Sequence, residues 1–204
     1  MARRQTNSPG ASETRENLLK LAARAFGTQG YSATTMRTIA EQAGIEAASI
    51  YYHFSSKEEL LHEVMEQGAS RLVHEMDAHI EALGPGSTAE QRFRAAVLGQ
   101  MSGLVKHGDF ALPNGRLLGQ LPEAVRERLV QRRERHRKLW NGLLEDLRAE
   151  GRLRGDVDIH LARIFILGSI NSVHSWFDPR KGALEKTADQ FCEMFFAGVS
   201  PPAA

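Results

Sequence analysis

The stretch Ala43–Leu60, AGIEAASIYYHFSSKEEL, decides how this chain folds. It opens on a glycine turn, passes two alanines and a serine, reaches a Tyr-Tyr-His-Phe cluster and closes on a helix start. Ser55 with Glu58, and Ser56 with Glu59, both fit the Ser-x-x-Glu capping box, so either serine can cap the helix that follows. Upstream, Thr35 suits the cap of a short helix over about 36–42, which Gly44 ends. A third short helix is predicted over about 46–53. Two short helices joined by a tight glycine turn form the helix-turn-helix pattern.

Projected with helical periodicity, Ile50 and Phe54 fall together and face inward, with Ile45 anchoring the turn. Ala48, Ser49 and Tyr52 fall opposite, with Tyr51 flanking. A solvated helix face normally carries Lys or Glu. Small residues there instead let a helix enter the major groove closely. Alanine can then touch a thymine methyl, and serine can bond a base edge. Thr35, Arg37, Tyr51, Tyr52, His53 and Lys57 are suitable phosphate partners that fix register. The plain alternative is that Tyr51–Phe54 is core and the alanines are there as good helix formers. It leaves the three helices, the glycine turn and the capping box unexplained together.

Working outward, the chain reads as helical almost throughout, with no alternating strand pattern. Residues 1–11 read as a disordered arm. The first helix runs from about Glu13 to Gln29, capped by Ser12, with Leu18, Leu21, Ala22, Ala25 and Phe26 inward and Gly30 as its stop. The fourth helix ends near Leu83 at GPGST, and Ser87 with Glu90 offers a capping box for a fifth over about 89–107. One short helix near 115–120 is expected. A long one follows over about 123–150, with Pro122 at its start and Gly151 as its stop. Two more are expected over about 158–177 and 184–198. The domain boundaries that follow are a helix-turn-helix domain at 12–55, a helical domain at 56–200 and a tail at 201–204.

SATTMRTIAEQAGIEAASIYYHFSSKEELL resembles the N-terminal domain of the TetR family of bacterial transcription regulators. The matching elements are Gly30-Tyr31, Ala33-Thr34-Thr35, Ile39-Ala40, Ala43-Gly44-Ile45, Ser49-Ile50-Tyr51, His53-Phe54 and Ser56-Lys57-Glu58, within about residues 13–62. The resemblance implies an all-α protein: a three-helix helix-turn-helix domain that binds double-stranded DNA, and a helical ligand-binding and dimerisation domain. It implies a repressor that sits on a palindromic operator as a homodimer and is released by a small molecule. By resemblance, DNA contacts fall to Thr35, Arg37, Ala47, Ala48, Ser49, Tyr51, Tyr52, His53 and Lys57. Many members start the recognition helix with Ser or Thr and carry Lys or Arg within it, where this chain has Glu46-Ala47-Ala48. Guanine readout by this helix is therefore not expected. Arg3 and Arg4 can serve as a minor-groove arm or remain a solvated tail.

The remaining residues suggest a dimer face and a pocket. LARIFILGSINSVHSWF is apolar nearly all round, so one side is expected to meet a partner subunit, with Gly168 and Ser172 permitting close approach. Leu161, Phe165, Gly168, Ser172, Phe191 and Phe195 are the candidate interface. A fully internal helix is the alternative. In the long helix, Leu129, Arg133, His136, Trp140, Leu143 and Leu147 share a face, on which Arg133 and His136 interrupt apolar residues. That is the expected lining of a small-molecule pocket, although both side chains can instead be solvated. Met101, Leu104, His107 and Phe110 are further candidate walls. RHRKLWNGLLEDLRAEGRLRGDVD and NSVHSWFDPRKGAL resemble the C-terminal domain of TetR-type regulators of fatty-acid and sterol catabolism, which implies an acyl-CoA or hydrophobic acid as effector.

Composition excludes several other classes. The 204 residues carry a net charge of +1, yet residues 1–57 hold seven Lys/Arg against four acids, a mild bias toward nucleic acid. A single cysteine, Cys192, rules out an intrachain disulfide. No apolar run approaches the roughly 18 residues of a membrane helix, and no signal-peptide core is present; the expected location is the cytoplasm. No nucleophile elbow, phosphate loop or dinucleotide fingerprint occurs. Neither a cofactor, a metal nor catalysis is expected. The rival reading is an all-helical enzyme or lipid carrier using the Arg133/His136 face.

Overall fold

A computed structural model describes residues 9–111 and 134–199. The readings of Arg3, Arg4, Leu129, Arg133 and the helix near 115–120 lie outside the described residues. Among the described residues there are ten helices and no strand. They are α1 (Pro9–Gln29), α2 (Met36–Gln42), α3 (Ile50–His53), α4 (Lys57–Glu81), α5 (Ala89–Lys106), α6 (Gly108–Ala111), α7 (Glu134–Ala149), α8 (Ile159–Ile170), α9 (Val173–Trp176) and α10 (Leu184–Val199). None is long and apolar enough to cross a membrane. The chain divides into two compact units, one of residues 9–68 with 109–111, the other of residues 69–108 with 134–199.

Local chemistry explains where the helices start and stop. Pro9 opens α1, four residues before the expected start, and Ser12 sits inside the helix instead of capping it. Proline is at home in a first turn because its missing N–H has no intrahelical partner there. Gly30 ends α1 at φ 87°, and Gly44 turns the chain after α2 at φ 70°. Of the two serines before α4, Ser56 is the cap: its Oγ accepts the Glu59 N–H at 3.1 Å, while the Glu59 carboxylate accepts the Ser55 N–H at 2.7 Å. At α5 the box is one residue later than expected. Thr88 pairs with Gln91 through both backbone N–H groups, and Glu150 accepts the Ala89 N–H at 2.9 Å. Glu90 is drawn instead to Arg94 and Arg152.

The expected helix over 158–177 is two helices. Asp158 caps α8 by accepting the Leu161 N–H at 2.9 Å, and the helix breaks at Asn171-Ser172. Short polar side chains there bond local carbonyls, with Ser172 Oγ donating to Ser169 O and Ser175 Oγ to Ser172 O. Such bonds compete with the helical ladder.

In the first unit, α1 to α4 and Phe110 close over one apolar core that includes Leu18, Phe26, Ile39, Ile50, Phe54 and Leu60. Leu19 and Ala23 join the α1 stripe, whereas Leu21 stays half-buried. In the second unit α5 is the central helix, packed by α7, α8, α9 and α10. Phe93 at its heart meets Trp140 edge-on, stacks on Phe195 at 4.9 Å and meets Phe196 edge-on. Gly99 and Gly103 let α5 lie directly on α4. A Cβ at Gly99 would sit 2.7 Å from Glu75 O and Met76 Cα, far inside van der Waals contact.

Candidate nucleic-acid interface

The reading segment is a turn that tightens into a helix. Residues 46–49 carry short-range bonds, Ser49 N–H to Glu46 O and Tyr51 N–H to Ala48 O, and regular α-helix begins only at Ile50. The expected helix over 46–53 is thus helical in its second half alone. Ile50 and Phe54 are buried, while Glu46, Ala47, Ala48 and Ser49 are exposed and Tyr51 and Tyr52 stand 57% and 71% exposed. An exposed aromatic pair beside a strip of small side chains leaves apolar surface in water, which a monomeric fold has no reason to keep in a cluster.

The candidate phosphate partners surround this strip. Thr35 caps α2 with its side chain accepting the Thr38 N–H, and the residue itself is exposed. Arg37 is exposed and paired with Glu41 at 2.8 Å, a one-turn pair that a phosphate can exchange for at small cost. His53 is half-buried with Tyr52 edge-on to its ring. Burial, then the charge of Arg15, push its pKa down, so the neutral ring is favoured. Lys57 is turned inward. Its Nζ donates to Tyr31 O at 2.9 Å and Thr34 O at 3.0 Å, and lies 4.0 Å from the centroid of the Tyr31 ring.

The candidate pocket residues are spread over both units. Met101 and Leu104 are buried on α5, and His107 is half-buried where α5 ends. Phe110 belongs to the core of the first unit, with its backbone carbonyl against Gly68. Trp140, Leu143 and Leu147 are buried on one face of α7, with His136 half-buried on it, as the spacing requires. Arg133 is outside the described residues.

The polar centre of that region is Gln100, a residue the motif and periodicity arguments leave out. It is fully buried on α5. Its Oε1 accepts from Trp140 Nε1 at 2.8 Å and from His136 Nε2 at 2.7 Å, and its Nε2 donates to Asn171 Oδ1 at 2.7 Å. Trp140 Nε1 also lies 3.2 Å from His136 Nε2, so the three side chains form one polar cluster. A signal for it exists in the sequence: Gln100 keeps helical register with Phe93, Ala96, Val97, Met101 and Leu104, a polar side chain on an apolar stripe.

The candidate dimer residues are also unequal. Leu161 and Phe165 are 51% and 72% exposed, and Gly168 and Ser172 are exposed, while Ala162, Ile166 and Ile170 turn inward. Phe191 and Phe195 are half-buried, and Phe195 stacks on Phe93. Ile164, Trp176 and Met194, absent from the expected interface, are 47%, 55% and 77% exposed.

Comparison with known proteins adds three kinds of likeness. Residues 18–64 match the model of bacterial regulatory proteins of the tetR family, and residues 86–199 match the tetracyclin repressor-like C-terminal domain. The chain is 30% identical over 191 residues to the HTH-type transcriptional repressor KstR2 of Mycolicibacterium smegmatis, covering 91% of this chain and 90% of the relative. Its fold is similar to the ketosteroid transcriptional regulator KstR2 of Mycobacterium tuberculosis, with a TM-score of 0.76 at 26% identity over 97% of each chain. It is also similar in fold to AibR, solved with isovaleryl coenzyme A and operator DNA, with a TM-score of 0.74 at 23% identity over 90% of this chain and 98% of that one.

Proposed function

The chain belongs to the tetR family of bacterial regulatory proteins, and from that premise we propose that it is a non-enzymatic repressor that grips a palindromic operator as a homodimer and lets go when an acyl-CoA or related hydrophobic acid binds. The observation that carries the DNA-binding half is the exposed strip Ala47-Ala48-Ser49 with Tyr51 and Tyr52, held over buried Ile50 and Phe54. In this reading Ala47, Ala48 and Ser49 face bases. Thr35, Arg37, Tyr51, Tyr52 and His53 hold the backbone. Leu161, Phe165, Gly168 and Ser172 form the dimer seam with help from Ile164, Trp176 and Met194. The effector lies in the helical domain near Met101, Leu104, His107, His136 and Trp140.

The chemistry of the strip dictates what it reads. Two alanine methyls and one hydroxyl offer contact to thymine methyls and a single weak base-edge bond. With no Arg or Lys on that face, bidentate guanine contacts have no donor. Affinity then comes chiefly from phosphates, and specificity from thymine methyls, groove shape and the spacing of two half-sites about 34 Å apart.

Selection of DNA from a random library by the full-length protein tests this directly. A two-fold symmetric, A·T-rich site is expected, bound about a thousandfold or more tighter than random DNA and weakening steeply with salt. Ala48→Leu is expected to change which sequences are recovered. Recovery of no sequence above background ends the regulator reading.

The ligand half draws support from the AibR complex with isovaleryl coenzyme A. A ligand present at about 100 times its Kd stabilises the state it binds by about 2.7 kcal/mol. Acyl-CoA thioesters are therefore expected to raise the melting temperature by several degrees and to lower operator affinity. Free acids of the same chain length serve as the comparison. Normal operator binding with no thermal shift from any acyl-CoA discards this effector class.

A further inference from the structure

We propose that Lys57 and Glu58 are a latch that positions the reading helices, and that Lys57 itself neutralises no phosphate. The inference rests on the DNA-binding reading above and concerns how the interface is held. A lysine at the start of a helix beside a helix-turn-helix is an obvious backbone contact, and the sequence puts it there. The geometry points elsewhere. Two of the three Nζ protons are spent on the carbonyls of Tyr31 and Thr34, at 2.9 and 3.0 Å, and the ring of Tyr31 covers the cation at 4.0 Å. The Tyr31 hydroxyl donates to Glu58 Oε1 at 2.7 Å, so a second bond ties the same loop to the same helical turn. That hydrogen bond, foremost among several contributions, holds the Glu58 carboxyl below its ordinary pKa.

The loop gripped in this way is the one that sets α2. It starts at Gly30, in the left-handed region at φ 87°, and ends at Thr35, the cap of α2. Thr34 is fully buried and its Oγ1 donates to Gly30 O, so the loop is closed on itself. Lys57 pins it on both sides of that closure, at the carbonyls of residues 31 and 34. The start of α2 is thereby fastened to the start of α4. Since α2 packs on α3, the latch sets the attitude of the Ala47–Tyr52 strip toward DNA. A charged donor bonded to neutral carbonyls is a strong tie, and removing it leaves two partly buried acceptors short of a partner.

Phosphate contact and positioning give opposite signatures. Removing a phosphate contact weakens binding to all sequences alike and lowers the slope of log K against log salt by about 0.9 for each phosphate no longer neutralised. Removing a positioning group lowers affinity for the selected site, leaving the slope and the affinity for random DNA unchanged. The experiment measures full-length wild type, Lys57→Met and Tyr31→Phe on DNA selected by the wild type and on random duplex, across a salt series, with melting curves alongside. Lys57→Met is expected to lose about tenfold on the selected site and nothing on random duplex, at an unchanged slope. Tyr31→Phe keeps the ring and removes only the bond to Glu58. It is expected to lose less, in the same pattern, and it decides the matter if Lys57→Met does not fold. Parallel weakening on both DNAs with a slope reduced by about 0.9 overturns the latch in favour of a phosphate contact. So does wild-type affinity for the selected site in folded variants. If the wild type itself selects no sequence, the regulator reading falls and takes the latch with it.

Discussion

Trp140→Ala is expected to cost about 3–5 kcal/mol of stability, the usual range for emptying a buried aromatic site. Trp140 is fully buried on α7, edge-on to Phe93 at a centroid distance of 5.8 Å. Its indole N–H is one of the two donors on Gln100 Oε1. Truncation therefore leaves a cavity beside Phe93 and takes a partner from a buried oxygen. A chain of this size loses about 2–4 °C of melting temperature per kcal/mol, so a fall of about 10 °C is expected. Trp140→Phe separates the two contributions. It keeps most of the volume and leaves Gln100 Oε1 with His136 alone, at a cost of about 1–2 kcal/mol. A melting temperature within about 2 °C of wild type for the alanine variant would mean that the polar centre around Gln100 is not where the second unit derives its stability.

Phe165→Glu is expected to abolish the proposed dimer and with it nearly all sequence-specific binding. Phe165 is 72% exposed on α8, with Leu161 and Ile164 on the same helix half-exposed, an apolar face that water covers poorly. In a two-fold seam each substitution is made twice, so two carboxylates meet close to the axis and both lose solvent. A single helix-turn-helix then contacts only one half-site. Affinity for the selected DNA should fall by about a thousandfold or more, toward the level of random DNA. Sedimentation at micromolar concentration reads the oligomeric state, and binding isotherms read the drop in affinity. A variant that stays dimeric and binds like wild type assigns the seam to another surface. Met194, 77% exposed on α10, is the next position to test.

Much of the fold is legible in the sequence because its signals are local. The glycines at 30, 44 and 151 adopt positive φ, where a side chain is strained, and each ends a helix as its position announces. Caps at Thr35 and Asp158 need only a side-chain oxygen within one turn of the backbone N–H groups it serves. Where two local solutions compete, spacing alone does not choose correctly. Ser55 and Ser56 both fit a capping box, and the Ser-x-x-Glu pattern points to Ser87 where Thr88 is the cap. In the latter case the choice depends on Glu90, which Arg94 and Arg152 recruit from elsewhere in the fold.

The candidate site divides along the same line. The inward anchors Ile50 and Phe54 and the exposed strip between Ala47 and Tyr52 follow from helical periodicity, since burial on one face implies exposure on the other. The exposed strip proposed to face DNA is therefore legible in the sequence, together with the apolar α8 face that includes Phe165. Whom a side chain meets across tens or hundreds of residues is not. Lys57 finds the carbonyls of Tyr31 and Thr34, Phe110 enters the core of the first unit, Phe195 stacks on Phe93, and Gln100 gathers His136, Trp140 and Asn171. Long flexible side chains and buried amides have several partners of similar energy within reach of the chain. Only packing, which removes water and all but one geometry, chooses among them.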